Sequence, residues 1–349
     1  MSYLPISQEK LEKLRNRDDY YILAIESSCD ETAVAITKGK DIIASVISSQ
    51  IEIHKRFGGV VPEIASRNHI LAIDNLVKEA LDSANLTFSD ISAIAVTYGA
   101  GLLGALLVGV SYAKGLAYAL NLPLVAINHV KGHVFANFIT HNDLKLPFIC
   151  LLASGGHTEI IEVVSYHDMK TLGKTLDDAA GEAFDKVARI LGLPYPGGPQ
   201  IEQRAKLGKN NIAMPRAFKG EKHLNFSYSG LKTAVINYVH TRKMKGLEIR
   251  QDDIACSFQT EAVAALTERA FRACKTYKYD TICVAGGVAA NSYLREQMEK
   301  IGEQNNVQVM MPPKYLCTDN AAMIGVAAYF AIKEGIKAST LTQDAEANA

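Results

Sequence analysis

Two histidines, His129 and His133, have the spacing that chemistry at a metal ion would need. Residues four apart share one face of a helix, about one turn from each other. Two imidazoles placed in this way can bind one divalent ion. Nine histidines in 349 residues make one such pair unsurprising, so the spacing alone leaves an ordinary packing role open.

Four carboxylates are further candidates for chemistry. Asp319 comes just before a predicted helix and could supply a hard oxygen ligand beside the two imidazoles, although it could equally be a plain helix N-cap. Glu26, Asp30 and Glu31 lie in one polar turn between two predicted strands. We interpret this turn as an edge for acid/base chemistry or cation binding, the alternative being a solvated turn.

Glycine-rich turns follow two predicted strands in the second half of the chain, at residues 154–158 (SGGHT) and 286–291 (GGVAAN). Such turns allow close backbone approach to phosphate or sugar, and together they favour a nucleotide held between two lobes. Residues 99–104 match G-x-G-x-x-G, but no acidic residue occurs between positions 105 and 127. This departs from the dinucleotide fingerprint, so close helix–sheet packing explains these glycines better.

The elements that must position these residues repeat along the chain. Residues 21–36 read as strand, polar turn and strand, and residues 148–163 repeat that order. We therefore expect a duplicated α/β fold: an extension at 1–20, a first lobe over 21–145 completed by a helix near 320–336, and a second lobe over 146–319. The other predicted strands are 42–47, 91–96, 124–127, 281–285 and 307–311, and the predicted helices are 62–81, 101–120, 177–191, 254–274 and 319–332.

Composition excludes several classes of protein. With 48% hydrophobic and 21% charged residues, the chain is typical of globular proteins. Its six cysteines are scattered without a C-x-x-C pair, which predicts reduced thiols and a cytoplasmic protein. The apolar stretch 99–127 is interrupted by Lys114 and by Asn121-Leu122-Pro123, so it predicts a buried helix and strand and no membrane span.

One segment concentrates positive charge in a chain whose net charge is zero. Residues 204–245 contain ten Lys or Arg residues and one acid, a local charge of +9. Four aromatic residues are interleaved: Phe218, Phe226, Tyr228 and Tyr238. Positive charge with aromatic stacking platforms favours an RNA backbone and unstacked bases, the alternative being a solvated surface loop.

Taken in order, these motifs resemble one family over residues 21–336. They are residues 25–32 (IESSCDET), 58–63 (GGVVPE), 66–69 (SRNH), 128–133 (NHVKGH), 154–158 (SGGHT), 177–185 (DDAAGEAFD), 195–199 (YPGGP), 226–232 (FSYSGLK), 286–291 (GGVAAN) and 318–320 (TDN). The chain is identified as resembling the bacterial members of the universal tRNA threonylcarbamoyladenosine transferases. That family belongs to the actin/hexokinase/Hsp70-like superfamily, which implies two lobes with a nucleotide and metal cleft between them.

The resemblance also implies roles for individual residues. His129, His133 and Asp319 would hold one divalent metal, iron or zinc, and Asp30 and Glu31 match acids at the family's active site. The residues implied to bind the adenylate substrate are Leu152, Ala153, Ser154, Gly155, Gly156, Asp185, Gly198, Glu202 and Asn291. Glu202 stands where the family often has Asp, and Ala100 where it usually has Pro.

The implied reaction is an acyl transfer in tRNA modification. A threonylcarbamoyl group would pass from threonylcarbamoyl-AMP to N6 of adenosine 37, in the anticodon arm of tRNAs that read codons beginning with A. The resemblance further implies a paralogous companion subunit and a small P-loop ATPase. A metallopeptidase is excluded because Val130 stands where H-E-x-x-H needs Glu. A scaffold ATPase of the same superfamily is the other alternative, but it would not need the two histidines and Asp319.

Overall fold

The computed structural model describes residues 3–349 and divides the chain into two compact units. The first unit comprises Met1–Leu144 and Asp319–Ala349, and the second comprises Lys145–Thr318. The second unit is thus inserted into the sequence of the first. Asp319, which we assigned to the second lobe, belongs to the first unit.

The secondary structure alternates between strands and helices along the described part of the chain. The strands are β1 (Tyr21–Glu26), β2 (Glu31–Lys38), β3 (Asp41–Ser49), β4 (Ile91–Gly99), β5 (Leu124–Asn128), β6 (Phe148–Ala153), β7 (Thr158–Val163), β8 (Met169–Lys174), β9 (Thr281–Ala285) and β10 (Gln308–Met310). The α-helices are α1 (Tyr3–Leu14), α2 (Ile51–His54), α3 (Pro62–Ala84), α4 (Leu103–Ala119), α5 (His129–Phe135), α6 (Asn137–Thr140), α7 (Ala180–Ile190), α8 (Gly197–Ala205), α9 (Ser229–Met244), α10 (Gln251–Tyr277), α11 (Ser292–Asn305) and α12 (Ala321–Lys333).

The two units contain sheets of the same topology. The first sheet has the order β3-β2-β1-β4-β5, and the second has the order β10-β9-β6-β7-β8. Each sheet contains an antiparallel hairpin, β1 with β2 in the first sheet and β6 with β7 in the second. The first strand of each hairpin also pairs in parallel with a later strand, β1 with β4 and β6 with β9. The predicted duplicated α/β fold is therefore confirmed.

Apolar residues of the central strands explain why the sheets are covered by helices. In the first unit Ile25, Val96, Leu106 and Val110 belong to one buried cluster between the sheet and helices α3 and α4. Helix α12 packs on β1 and β2, and a Cβ at Gly325 would lie 2.6 Å from the Thr37 hydroxyl oxygen. Its small residues therefore allow a close approach of helix to sheet.

Helices α3 and α4 lie side by side with a matching register. Gly104 approaches Ser66, whose Oγ would be 2.6 Å from an added Cβ, and eight residues further along both helices Tyr112 donates a hydrogen bond to Asp74 at 3.0 Å. The equal offset shows that the two helices run in the same direction.

Four predicted helix starts differ from the structure: α4 begins at Leu103 instead of 101, α10 at Gln251 instead of 254, α7 at Ala180 instead of 177, and α12 at Ala321 instead of 319. A side chain that caps a helix explains the last two. Helix α7 begins at Ala180 because Asp177 instead accepts hydrogen bonds from Ser227 and from the start of α9. Helix α12 begins at Ala321 because Asn320 is its N-cap and accepts from the Met323 backbone N–H. An N-cap residue has non-helical backbone angles, so the regular helix begins only after it.

The apolar stretch between residues 99 and 127 forms α4 and then β5, as expected. Within residues 3–349, no helix is both long enough and apolar enough to cross a membrane. All six cysteines are free thiols.

Candidate active site

Three potential metal ligands meet in the first unit. His129 is the first residue of α5, directly after its N-cap Asn128, and His133 follows one turn later. Helix α12 packs against α5, which brings in Asp319 from just before its N-cap. One ligand atom from each of His129, His133 and Asp319 lies within 4.8 Å of the others, so the group could hold a metal ion.

The distances within this group fit one divalent ion. Asp319 Oδ1 lies 3.5 Å from His129 Nε2 and 3.2 Å from His133 Nε2. Ligand atoms that each bind a tetrahedral or octahedral ion at about 2.1 Å are about 3.0–3.5 Å apart. Two imidazoles and one carboxylate are a donor set that suits zinc or iron.

The buried carboxylate of Glu26 lies behind His129. Its Oε2 is 3.1 Å from His129 Nδ1, and the side chain is inaccessible to solvent. Burial opposes a charge on His129, but Glu26 and Asp319 outweigh it and raise the pKa of His129 to about 9. Burial likewise acts to raise the pKa of Glu26, yet the pairing with His129 lowers it. Glu26 and His129 therefore form a buried ion pair.

Two acidic residues, Asp30 in the turn after β1 and Glu31 at the start of β2, form what we call the acid pair. Asp30 is buried, and Glu31 accepts a hydrogen bond from Ser49 at 3.1 Å. Burial, followed by the charges of Asp30 and Asp319, raises the pKa of Glu31 to about 9. Glu31 is thus protonated at neutral pH in the metal-free protein, and the influence of Asp319 links the acid pair to the candidate metal site.

A buried histidine holds this turn in place. His69 on α3 contacts the Thr32 hydroxyl through Nδ1 at 2.7 Å and the Cys29 carbonyl through Nε2 at 2.9 Å. Burial lowers the pKa of His69, so the ring is neutral at pH 7. Because Cys29 and Thr32 flank Asp30 and Glu31, His69 fixes the backbone that carries both acids.

In the second unit, the predicted nucleotide turns meet at one edge of the sheet. Parallel strands β6 and β9 end at Ala153 and Ala285, so the turns that follow them lie together. Gly286 has φ 87°, and a Cβ there would be 2.5 Å from the Ala153 carbonyl oxygen. Only glycine fits where these two backbones approach so closely.

The first of these turns, residues 154–158, is closed by two hydrogen bonds, and the space next to each of its two glycines, where a Cβ would lie, is open. Ser154 N–H donates to the His157 carbonyl at 2.8 Å, and Ser154 Oγ accepts from His157 N–H at 3.1 Å. Gly155 and Gly156 are exposed, with no atom of the described chain within 4 Å of an added Cβ. Leu152 and Ala153 precede them in β6 with buried side chains. Those two residues can therefore offer a ligand only backbone groups.

The other predicted substrate residues are linked to this edge through α7, α8 and α11. Asp185 accepts a hydrogen bond from Gly197 N–H at 2.7 Å, next to Gly198. Asn291 is the N-cap of α11 and donates to Gln259 at 2.9 Å. Glu202 pairs with Lys206 at 3.0 Å; burial acts to raise the pKa of Glu202, but Lys206 and Ser292 lower it. Glu202 is therefore ionised and, through Ser292, adjacent to Asn291.

Comparison with known proteins identifies the family. A family model described as TsaD, tRNA N6-adenosine threonylcarbamoyltransferase, matches residues 41–326. The chain belongs to this family.

Curated relatives from clostridia are similar over nearly their full length. The tRNA N6-adenosine threonylcarbamoyltransferase of Clostridium perfringens (strain SM101 / Type A) is 56% identical over 316 residues, covering 90% of this chain and 93% of the relative. That of Clostridium novyi (strain NT) is 56% identical over 320 residues, covering 91% and 94%. These matches confirm the resemblance inferred from the motifs.

Solved structures are similar in fold at low sequence identity. The activator of the 2-hydroxyisocaproyl-CoA dehydratase from Clostridium difficile, with bound ADPNP, aligns with a TM-score of 0.52 at 14% identity, covering 90% of this chain and 96% of that one. HypF from T. kodakarensis aligns with a TM-score of 0.60 at 14% identity, covering 91% and 48%. Both have the actin-like ATPase fold, which confirms the predicted fold class.

The structure of the basic segment, residues 204–245, agrees only in part with the prediction of exposed charges and aromatic rings. Phe226 and Tyr228 are buried in the core of the second unit, so they are not stacking platforms. Phe218 and Tyr238 are half-buried, and Arg242 lies 5.6 Å from the centre of the Tyr238 ring. Four of the ten cations form ion pairs within the unit: Arg204, Lys206, Arg216 and Lys232. The positive charge available to a partner is therefore smaller than +9.

The sequence did not predict the buried contacts that fix His129 and the acid pair in place. The contact of Glu26 with His129 and the role of His69 were not predicted, because both depend on packing between distant segments. One signal was present for Glu26: a charged residue directly follows the apolar run Tyr21–Ile25. A charge at such a position is expected to have a buried partner.

Proposed function

We propose that this protein transfers a threonylcarbamoyl group from threonylcarbamoyl-AMP to N6 of adenosine 37 in tRNAs that read codons beginning with A. The observation that carries the proposal is the meeting of His129, His133 and Asp319 beside the acid pair Asp30 and Glu31. A nucleotide-binding scaffold would need neither group. Membership of the tRNA N6-adenosine threonylcarbamoyltransferase family supports the same reaction.

The second unit supplies the adenylate site in this proposal. The open backbone of Gly155 and Gly156 can approach the phosphate, as glycine turns at the ends of parallel strands do. Asp185, Gly198 and Asn291 are assigned to the nucleoside, together with Glu202 in place of the more usual Asp. The longer side chain of Glu202 stays ionised, so it can still accept hydrogen bonds from ribose hydroxyls.

The transfer step balances with one proton acceptor. N6 attacks the carbamoyl carbon, the N6–C bond forms, the bond from that carbon to the phosphate oxygen breaks, and AMP leaves with the electron pair. We assign the N6 proton to Asp30. Burial and the charge of Asp30, the two largest causes of its raised pKa, favour the protonated form of Glu31, which suits the role of hydrogen-bond donor. Because the N6 lone pair is delocalised into the ring, positioning supplies much of the rate.

A divalent metal is the cofactor of the proposed site. His129, His133 and Asp319 would hold it, with iron or zinc as the ions that the donor set favours. When bound, such an ion supplies Lewis-acid polarisation of a carbonyl or phosphoryl oxygen. Helix α5 and helix α12 then position the three side chains, and Glu26 determines the orientation of one of them.

The tRNA anticodon arm is the proposed macromolecular substrate. Exposed lysines at 209, 219, 222, 243 and 245 can contact phosphates, and Tyr238 with Arg242 offers a partly exposed ring and cation. We expect Lys219→Glu/Lys222→Glu to weaken tRNA binding and to reduce its salt dependence. Lys78→Glu, an exposed lysine on α3, is the matched control and should change neither quantity.

An exposed apolar ridge supports a protein partner for the first unit. Ile70 and Leu71 on α3 are 63% and 74% exposed, and Leu103 and Leu107 on the adjacent α4 are also exposed. Ile70 shares the helical spacing of the buried residues Ile73 and Val77, from which burial would be predicted, and yet it is exposed. We propose that this ridge binds a companion subunit of the same fold, and that a small P-loop ATPase completes a cytoplasmic complex.

A transfer assay with purified components tests the proposal. Threonylcarbamoyl-AMP and unmodified tRNA are incubated with the chain, with and without the two proposed partners, and modified adenosine is quantified by mass spectrometry. His133→Ala should abolish transfer and metal content together, whereas His167→Ala, in the second unit outside the site, should change neither. Full transfer by folded His133→Ala would refute the metal role, and wild type that binds adenylate without transfer would favour a scaffold.

A further inference from the structure

Glu26 is a buried carboxylate with three hydrogen-bonding neighbours. It is the last residue of β1 and follows four buried residues of the strand. Its Oε1 accepts from Ser28 N–H at 2.6 Å, and its Oε2 accepts from the Thr97 hydroxyl at 2.6 Å. His129 Nδ1 is the third neighbour, 3.1 Å from Oε2. A charge so deep in the protein persists only when it is paired and hydrogen-bonded.

The contact with Glu26 determines which nitrogen of His129 can bind a metal. Nδ1 of His129 has two neighbours at 3.1 Å, the Glu26 carboxylate and the Ser28 hydroxyl oxygen. A carboxylate only accepts hydrogen bonds and a hydroxyl can also accept, so a proton on Nδ1 satisfies both contacts. The lone pair of the neutral imidazole is then on Nε2, the nitrogen that lies 3.5 Å from Asp319 Oδ1. Metal-binding histidines generally donate their other N–H to such a partner, which fixes the ring orientation and raises ligand basicity.

His133 provides an internal contrast. Its Nε2 also points to Asp319 Oδ1, at 3.2 Å, but its Nδ1 is buried and has no hydrogen-bond partner among residues 3–349. Its ring is instead held edge-on against His129, with the centroids 4.6 Å apart. Both imidazoles therefore face Asp319, but only His129 has a carboxylate at its Nδ1, whereas on that side His133 is held by packing against the ring of His129.

We propose that Glu26 is a positioning residue that orients His129, and through it His133, for metal binding. This inference rests on the metal ligands of the proposed function. Thr97 and Ser28 hold the carboxylate in place from β4 and from the backbone of the turn. Because Glu26 is fully buried behind His129, we assign it no contact with the substrate or the ion. The first measurable effect of substituting Glu26 should therefore be weaker metal binding.

Metal affinity is the first test, with Zn²⁺ as the probe and a chelator of known affinity as competitor. Glu26→Gln keeps the shape of the side chain but removes the charge, and should weaken Zn²⁺ binding about 10- to 100-fold. Thr97→Val, which removes one hydrogen bond to the carboxylate, should weaken it less. Asp253→Asn changes a buried carboxylate of the second unit that binds Lys209 N–H and Asn211, and should leave Zn²⁺ affinity unchanged.

The second test needs only the wild-type protein, so it is independent of how the variants fold. Two-bond ¹H–¹⁵N correlation spectra of ¹⁵N-histidine-labelled protein distinguish the two tautomers of His129. Zn²⁺-loaded protein should show the proton on Nδ1, and a proton on Nε2 would overturn the inference.

The two proposals fail in different ways. If His133→Ala binds Zn²⁺ as tightly as wild type, the proposed metal site is wrong. If His133→Ala loses Zn²⁺ while folded Glu26→Gln retains full affinity, the metal site stands and the role of Glu26 is wrong.

Discussion

The buried pair of Glu26 and His129 should make the stability of the metal-free protein depend on pH. The pKa of His129 is raised to about 9 in the folded protein, against 6.5 when unfolded. Each pKa unit corresponds to 1.36 kcal/mol, so the pair stabilises the folded state by an amount on the order of 3 kcal/mol. Because the folded pKa is the higher one, this stabilisation is complete below pH 6.5 and is lost as the pH rises through 9.

The measurement is urea unfolding in the presence of a chelator, followed by circular dichroism because the chain lacks tryptophan. From pH 6 to pH 9, wild type should lose up to about 3 kcal/mol more of its free energy of unfolding than His129→Gln does. Glu31, whose pKa is also raised to about 9, destabilises the folded state over the same interval in both proteins. His129→Gln also leaves the buried carboxylate of Glu26 without its cationic partner, which should raise the pKa of Glu26. The difference between the two proteins therefore reports on the pair of Glu26 and His129, and about 3 kcal/mol is its upper bound.

Two further arms make the result decisive. His133→Gln leaves the pair of Glu26 and His129 intact and should keep the pH dependence of wild type. Saturating Zn²⁺ should reverse the trend, because metal ligands must be deprotonated and binding therefore strengthens as pH rises. If wild type and His129→Gln lose stability in parallel between pH 6 and pH 9, no buried ion pair forms and the reasoning is refuted.

Three other predictions concern the second unit. Gly286→Ala should destabilise the protein by about 1–3 kcal/mol in thermal unfolding and weaken adenylate binding, because its Cβ would meet the last carbonyl of β6, whereas Gly287→Ala, with open space around it, should be tolerated. Asp177→Ala removes the hydrogen bonds that start α9, so it should cost about 1–2 kcal/mol and speed hydrogen exchange in that helix. Arg269→Met leaves three backbone carbonyls without their donor and should cost about 2–4 kcal/mol in urea unfolding.

Local patterns in the sequence were enough to predict the strands and the duplication. Strands such as β1 and β6 are short apolar runs followed by polar turns, and that signal depends on neighbouring residues only. The histidine pair of α5 was predictable for the same reason, because i,i+4 spacing is itself a local property. Its pairing with Asp319, 186 residues away, was left open by the pattern, which fitted a plain helix N-cap equally well, and the resemblance to a family then implied it.

The failures concern side chains whose environment is set by distant parts of the chain. Phe226 and Tyr228 follow a basic stretch, which suggested exposure, but Arg269 from α10 donates to backbone carbonyls of this segment and draws it into the core. Ile70 fits the helical period of α3 yet faces outward. Period and composition describe one element, whereas burial depends on what packs against it.

The separation between His133 and Asp319 also constrains how the protein is made. Translation at about 5–20 residues per second needs roughly 10–40 s to cover the 186 residues between them. During that time the first sheet lacks α12, and the apolar residues of β1 and β2 that α12 covers are exposed on the nascent chain. The proposed metal ligands are therefore complete only after synthesis of the whole second unit. A circular permutant that places α12 before β1 would shorten this vulnerable interval and should need less chaperone assistance.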